Sequence, residues 1–333
     1  MIAKGRLLAI VRAFAGRRIV VIGDVIADEF IYGQIARVSR EAPVLILDYD
    51  STEIVPGGAG NAASNVAALG GRVSAIGVVG RDDSGRRLVA TMRRRRIDVR
   101  RMLSPGGYRT PTKTRILAGG IHSAKQQLVR IDRASNAAAG DRARKLFEDR
   151  VLTAAESADA LLVSDYGSGL VTPVLVASAR DRMRVPIVLV DSRYSLLRYK
   201  GMTACTPNES EVEHALGVRI GDDARALERA GRAVLARTRS RAVLVTRGSR
   251  GMALFQPDEK TIHIPIVGSD QIADVTGAGD TVIATMTLAL AAGATFEEAA
   301  HLANHAGGIV VMKRGTATVS ASELKASISG RAT

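Results

Sequence analysis

Short apolar runs recur along the chain between longer segments with helical spacing, and this alternation restricts the fold more than any other feature. Arg18–Gly23, Arg72–Val79, Asp159–Ser164, Pro186–Asp191, Thr203–Thr206 and Arg241–Thr246 are rich in Val, Ile and Leu with little polar interruption, as strands buried on both faces are. Asn61–Leu69, Asp83–Arg96, Asp141–Ser157, Thr172–Arg184, Glu209–Leu216 and Asp222–Thr238 have helical length and periodicity. A parallel sheet with helices on both faces follows, an α/β/α three-layer architecture. Two stretches break the rhythm: Ala42–Glu53 and Thr112–Arg130 read as extended where crossover helices are due. Together they predict a small β-rich lid, with excursions over about residues 28–56 and 108–134 of one principal domain that fills 1–333.

Composition narrows the partners. With 46% hydrophobic and 24% charged residues the chain can bury a large core. The single cysteine, Cys205, excludes internal disulfides and multi-cysteine zinc sites, and points to a reducing, cytoplasmic setting. The net charge of +14 raises the question of a polyanionic partner, but only eight of the 47 basic residues are lysine and the arginines are scattered. Tryptophan is absent and aromatics make up 3%, which removes the stacking platforms of single-strand binding, so no nucleic-acid partner is expected. Arg12 interrupts the apolar beginning of the chain, which reads as an amphipathic helix rather than a signal peptide. The longest apolar run, Val282–Ala292, is shorter than the ~20 residues a membrane span needs, so no membrane association is expected.

The chemistry-bearing segment is Asp274-Val275-Thr276-Gly277-Ala278-Gly279-Asp280-Thr281, directly ahead of that apolar run. Small residues admit close backbone approach, and a helix opened by them offers amide groups and a positive dipole end to an anion. Asp280 is placed either to take a proton from an attacking hydroxyl or to cap the helix. A second cluster, Pro56-Gly57-Gly58-Ala59-Gly60-Asn61, again precedes a helix, and Asn61 offers both donor and acceptor. Asp24 and Asp28 follow the first strand, where ligands of open α/β sheets bind. A turn at Gly57–Gly58 and a helix cap at Asp24 explain these residues equally well taken singly. Four more strand ends carry polar groups, at Ser164–Tyr166, Asp191–Arg193, Thr206–Glu211 and Thr246–Gly251, and their convergence on one sheet edge describes a nucleotide-plus-substrate cleft.

The Gly-Gly cluster, Asn208-x-x-Glu211, T-R-G-x-x-G at 246–251 and D-x-T-G-A-G-D at 274–280 resemble, in order and spacing, the ribokinase-like (phosphofructokinase B type) carbohydrate kinases. The likeness covers nearly the whole chain. Within the family it is closest to kinases that phosphorylate D-glycero-β-D-manno-heptose 7-phosphate at the anomeric hydroxyl, through stretches such as G-D-V-I-A-D-E-F-I-Y-G (23–33), R-V-S-R-E-A-P-V (37–44) and Q-Q-L-V-R-I-D (126–132). The resemblance implies ATP and Mg²⁺ as cofactors, with Asp280 as catalytic base and Gly277, Ala278 and Gly279 as the anion hole. It implies that Asn208 and Glu211 organise Mg²⁺ through water and that Thr246, Gly248, Gly251 and Asn304 line the nucleotide. Asp24, Asp28, Gly57, Gly58 and Asn61 would hold the sugar, and Lys113 and Arg115 are candidates for the substrate's phosphate. Asp274 and the Lys313–Gly315 loop match the region where relatives hold a monovalent cation, K⁺ being the candidate, and a homodimer through the lid is expected.

Three departures leave a kinase for another sugar or sugar phosphate, of ribose, fructose or fructose-phosphate type, as the first alternative, ahead of a non-catalytic binding protein. Ser168 stands where heptose kinases usually carry lysine, Asp191-Ser192-Arg193-Tyr194 replaces D-P-K-G, and Ala118–Lys125 adds residues to the lid. Many such kinases continue into a nucleotidyltransferase domain, and no H-x-G-H stretch of one is present. His301 and His305, Cys205, the Arg93–Arg96 run and the Thr295–Glu298 capping box are read as structural.

Overall fold

A computed structural model describes residues 2–119, 125–134, 140–268, 274–313 and 315–330. Among these residues the strands build two sheets. Eight belong to the main one: β1 (Arg18–Gly23), β4 (Arg72–Ile76), β7 (Ala160–Asp165), β8 (Val188–Ser192), β9 (Ala204–Cys205), β10 (Ala242–Thr246), β11 (Met252–Phe255) and β12 (Ile262–Ile264), in the order β12-β11-β10-β9-β8-β7-β1-β4. From β4 to β10 every pairing is parallel, and the last two strands turn back antiparallel. The polar ends of β1, β7, β8, β9 and β10 therefore open at one edge.

The apolar runs lack polar alternation because both faces are covered. Ile19 and Val21 of β1 join the core under α1 (Lys4–Arg12), α2 (Ala59–Ala68), α3 (Asp83–Arg94), α8 (Ala278–Ala291), α9 (Phe296–Val310) and α10 (Ala321–Ser329). Val20 and Ile22 face the opposite core, under α4 (Asp141–Ala155) and α5 (Pro173–Asp181). A third core lies under α6 (Glu209–Leu216) and α7 (Ala224–Thr238). The apolar run at 282–292 is explained by α8, whose residues from Asp280 to Ala291 are all buried. Among the described residues no helix is long and apolar enough to cross a membrane. Cys205 is buried in β9, and burial pushes its thiol up to about 12, an inert core group.

The second sheet has the order β3-β2-β5-β6, from β2 (Val25–Val38), β3 (Leu45–Gly58), β5 (Thr112–Gly119) and β6 (Gln126–Arg133). It starts earlier than the alternating pattern suggests. Val25–Ala27 and Val55–Gly58 are buried on both faces, so they show no polar alternation, and β2 leaves β1 across Asp24 alone. The predicted strand Arg72–Val79 ends at Ile76, and Val78 makes only an isolated bridge with Leu103. Of the added lid residues, 120–124 lie outside the described residues.

Candidate active site

Asp280 stands in the first turn of α8 and is 4% exposed. The turn is set by Gly277, at φ +79°, where a Cβ would lie 2.5 Å from the Asn61 side-chain nitrogen. No side chain caps this helix end, so its dipole and amides are directed at the cleft. Asn61 Nδ2 donates to Asp280 Oδ2 at 2.9 Å, and the Tyr166 hydroxyl donates to Oδ1 at 3.4 Å. Asn65 donates to Asn61 Oδ1 at 3.2 Å, which fixes the orientation of the Asn61 amide. Burial pushes the Asp280 carboxyl up to about 7, with the Asp28 charge adding to the shift and the Asn61 hydrogen bond opposing it. The Tyr166 phenol is pushed well above its ordinary value, first by Asp280 and then by burial.

The residues expected around a sugar converge at the junction of the two sheets. Asp28 is buried, accepts from Arg115 Nη1 at 2.7 Å and from Thr316 Oγ1 at 3.1 Å, and lies where a Cβ on Gly57 would come within 2.4 Å of its Oδ2. Glycine at 57 is therefore dictated by Asp28. Gly58, at φ +56°, packs a missing Cβ against the Asp24 carbonyl. Asp24 itself is directed away from open space: it accepts from the Tyr166 amide at 2.8 Å, the Ser168 amide at 3.2 Å and the Ser168 hydroxyl. It pins the loop after β7, and Ser168, at the position of the missing lysine, serves that pin. Lys113 Nζ sits 5.2 Å over the Tyr166 ring, and burial holds its pKa down.

A cleft of about 460 Å³ opens beside Asp280, lined also by Tyr166, Asp191, Arg193, Asn208 and Glu211. Asn208 and Glu211 form a capping box at the start of α6: Glu211 N donates to Asn208 Oδ1 and Asn208 N to Glu211 Oε2, each at 2.9 Å. Burial raises the Glu211 carboxyl, and burial together with Glu211 and Asp280 raises Asp191 well above its ordinary value. Two carboxylates that repel one another in a buried site suit a divalent cation. Among the described residues no cluster of three or more His, Cys, Asp or Glu offers a closed metal cage.

The cleft shares Asn208, Thr246, Val275 and Gly279 with a second, mostly apolar cavity of about 310 Å³, lined by Gly248, Gly251, Met252, Val282, Asn304 and Gly308. Gly251, at φ +75°, lets the backbone pass within 2.1 Å of where its Cβ would meet the Ile264 carbonyl, and Asn304 Nδ2 donates to the Pro265 carbonyl at 2.7 Å. Asp274 accepts from the Thr276 amide at 2.8 Å and the Gly315 amide at 3.0 Å, which clips the loop before α8 to the segment after α9. Arg314 lies outside the described residues.

Tyr166 and Asp191 were visible in the sequence only as two among several polar strand ends. Tyr166 directly follows the buried β7 and Asp191 is the one partly exposed residue of β8, and that position at the end of a buried strand is the signal that singles them out.

A buried carboxylate at a helix N-terminus, in a polar cleft of about 460 Å³ that runs on into a mostly apolar cavity of about 310 Å³, suits a phosphotransferase acting on a sugar hydroxyl. The chain belongs to the pfkB family of carbohydrate kinases, whose sequence profile matches residues 17–323. The bifunctional protein HldE of Caulobacter vibrioides is 42% identical over 322 residues, covering 95% of this chain and 64% of that protein. The bifunctional protein HldE of Geobacter metallireducens is 42% identical over 308 residues, covering 91% and 61%. The chain thus spans somewhat less than two thirds of these relatives. Among solved structures, ribokinase of Arabidopsis thaliana complexed with ribose and ATP superposes with a TM-score of 0.72 at 21% identity, over 94% of this chain and 99% of that one. Phosphofructokinase-2 of Escherichia coli in complex with potassium gives 0.75 at 19%, over 95% and 99%. These two show the ribokinase-like fold.

Proposed function

We propose that the protein transfers the γ-phosphoryl group of ATP to the anomeric hydroxyl of D-glycero-β-D-manno-heptose 7-phosphate, giving the 1,7-bisphosphate for the lipopolysaccharide core. The observation that carries the reaction is the Asp280 carboxylate, raised to about 7, beside the open N-terminus of α8. The acceptor O–H gives its proton to Asp280 as its oxygen bonds to the γ-phosphorus. The bond to the β–γ bridging oxygen breaks, and ADP leaves. Gly277, Ala278 and Gly279 present backbone to the charge spread over the transferring group. Asn61 positions the base rather than the sugar. Asp28 takes the sugar hydroxyls, and Thr246, Gly248, Gly251 and Asn304 line the nucleotide.

Glu211 and Asp191 would hold Mg²⁺, in part through water, and the ion supplies charge neutralisation on the phosphates. The two segments clipped by Asp274 would surround K⁺. The substrate assignment rests on the heptose-kinase motifs and on relatives at 42% identity. An ADP-release assay over a panel of sugars and sugar phosphates tests it. Fastest turnover of heptose 7-phosphate is expected; preference for unphosphorylated ribose or fructose would retire it.

The second sheet acts as a lid and as the contact of a cytoplasmic homodimer. Val38, Val44 and Tyr49 at one end and Val129 and Ile131 on β6 are all at least half exposed or nearly so, at 59%, 55%, 68%, 50% and 42%, an apolar grouping that a second copy would cover. Analytical ultracentrifugation should show a dimer that Val129→Glu weakens.

A further inference from the structure

The parallel pairing of β9 with β10 runs a step past both strands: the Thr246 amide donates to the Pro207 carbonyl at 3.0 Å, and Asn208 and Thr246 form an isolated bridge. There the two segments part. One enters α6 with its Asn208–Glu211 cap, and the other turns through Gly248–Arg250 into β11. Glu209, the first residue of α6, spans the gap between them. Its Oε2 accepts from Arg247 Nε at 2.9 Å and its Oε1 from Arg250 Nη2 at 2.7 Å.

The Glu209 and Arg247 side chains are 12% and 13% exposed, so removing either one strands the charge of the other away from water. The bond from Arg250 to Asp222 adds little, because the Asp222 side chain is 97% exposed. An acid in the first turn also suits the dipole of α6, but a dipole calls for no arginine, and both arginines come from the other segment. Among the described residues, the side-chain hydrogen bonds of 247–251 run to Glu209, Asp222 and the Gly221 carbonyl. A Cβ on Gly248 would meet nothing within 4 Å, so packing does not hold this turn.

The brace stands behind the wall of two cavities. Asn208 and Thr246 line both the Asp280 cleft and the apolar cavity, while Gly248, Ser249 and Gly251 line the apolar one. Glu209, Arg247 and Arg250 line neither.

We propose that Glu209 is a positioning residue for the nucleotide: through Arg247 and Arg250 it fixes the Gly248–Gly251 turn against the Asn208–Glu211 end of α6, so that one ATP meets both at the right spacing. The role rests on the nucleotide reading of the apolar cavity given above.

The test is initial-rate kinetics of Glu209→Gln, Arg247→Gln and the double variant, with ATP and the fastest acceptor of the sugar panel varied in turn, alongside thermal melts. Glu209→Gln should raise KM for ATP about 3- to 30-fold and leave KM for the sugar unchanged. The double variant should raise KM for ATP no further than either single one, because the two side chains act as a unit. Arg250→Gln, at the more exposed end of the brace, should fold normally and give a smaller rise. A folded Glu209→Gln enzyme with wild-type KM for ATP, equal rises in both KM values, or rises that multiply in the double variant overturn the positioning role alone. Ile266→Glu puts a charge at the exposed rim of the apolar cavity. A wild-type KM for ATP in that variant overturns the nucleotide reading and the role of Glu209 with it.

Discussion

Asn61, in the first turn of α2, donates its amide to Asp280, in the first turn of α8, at 2.9 Å. The bond joins two glycine-opened helices, one following the lid and the other beside the apolar cavity, and it opposes the burial that raises the Asp280 carboxyl.

Replacing Asp280 with Asn removes the base and keeps the shape. Turnover should fall about 10²–10⁴-fold with the circular dichroism spectrum unchanged; near wild-type turnover would falsify the assignment of the base.

The same substitution should stabilise the protein in alkali. The folded state holds the Asp280 proton to about 7, while the unfolded chain releases it near 3.8. Wild-type stability therefore falls as pH rises between those values and stays lowered above them. Asp280→Asn should melt higher than wild type at pH 8, by an amount on the order of a few kcal/mol, and the gap should close near pH 4. Equal melting temperatures at pH 8 would show that Asp280 is not desolvated.

The wild-type rate should drop below about pH 7 as Asp280 takes up a proton. Asn61→Ala removes the hydrogen bond that favours the carboxylate, so the acid limb of the pH–rate profile should move to higher pH by roughly one unit. An unmoved limb would mean that the amide has no influence on the base.

Gly57→Ala places a methyl group where Asp28 Oδ2 lies 2.4 Å away. Displacing Asp28 also disturbs Arg115 and Thr316. A stability loss of about 1–3 kcal/mol and a raised KM for the sugar, with KM for ATP unchanged, are expected from denaturation and initial-rate measurements.

Glu211→Gln keeps an acceptor for the Asn208 amide and so keeps the cap, but removes a charge from the cleft. Stability should change by less than ~1 kcal/mol, while the Mg²⁺ concentration for half-maximal rate rises. An unchanged Mg²⁺ requirement would restrict Glu211 to capping.

The parallel sheet was legible because both of its faces are buried, and Asp280 because small residues precede an apolar helix. The beginning of the lid was not, since Val25–Ala27 is buried on both sides and reads like any core segment. Asn61 reads as a sugar ligand, and nothing local reveals its hydrogen-bond partner 219 residues away. Asn208-x-x-Glu211 read as a metal motif, yet it has the same capping geometry as Thr295–Glu298; a short polar pattern can hold a helix and carry charge at once.

The contacts that complete the site join residues remote in the chain: Asn61 to Asp280 across 219 positions and Asp28 to Thr316 across 288. During synthesis the β1 region and the lid emerge long before their partners, so neither contact can form in the shorter nascent chain. Both contacts therefore wait on the segment from Asp280 to Thr316, and the cleft between the two sheets is closed by a late stretch of the sequence.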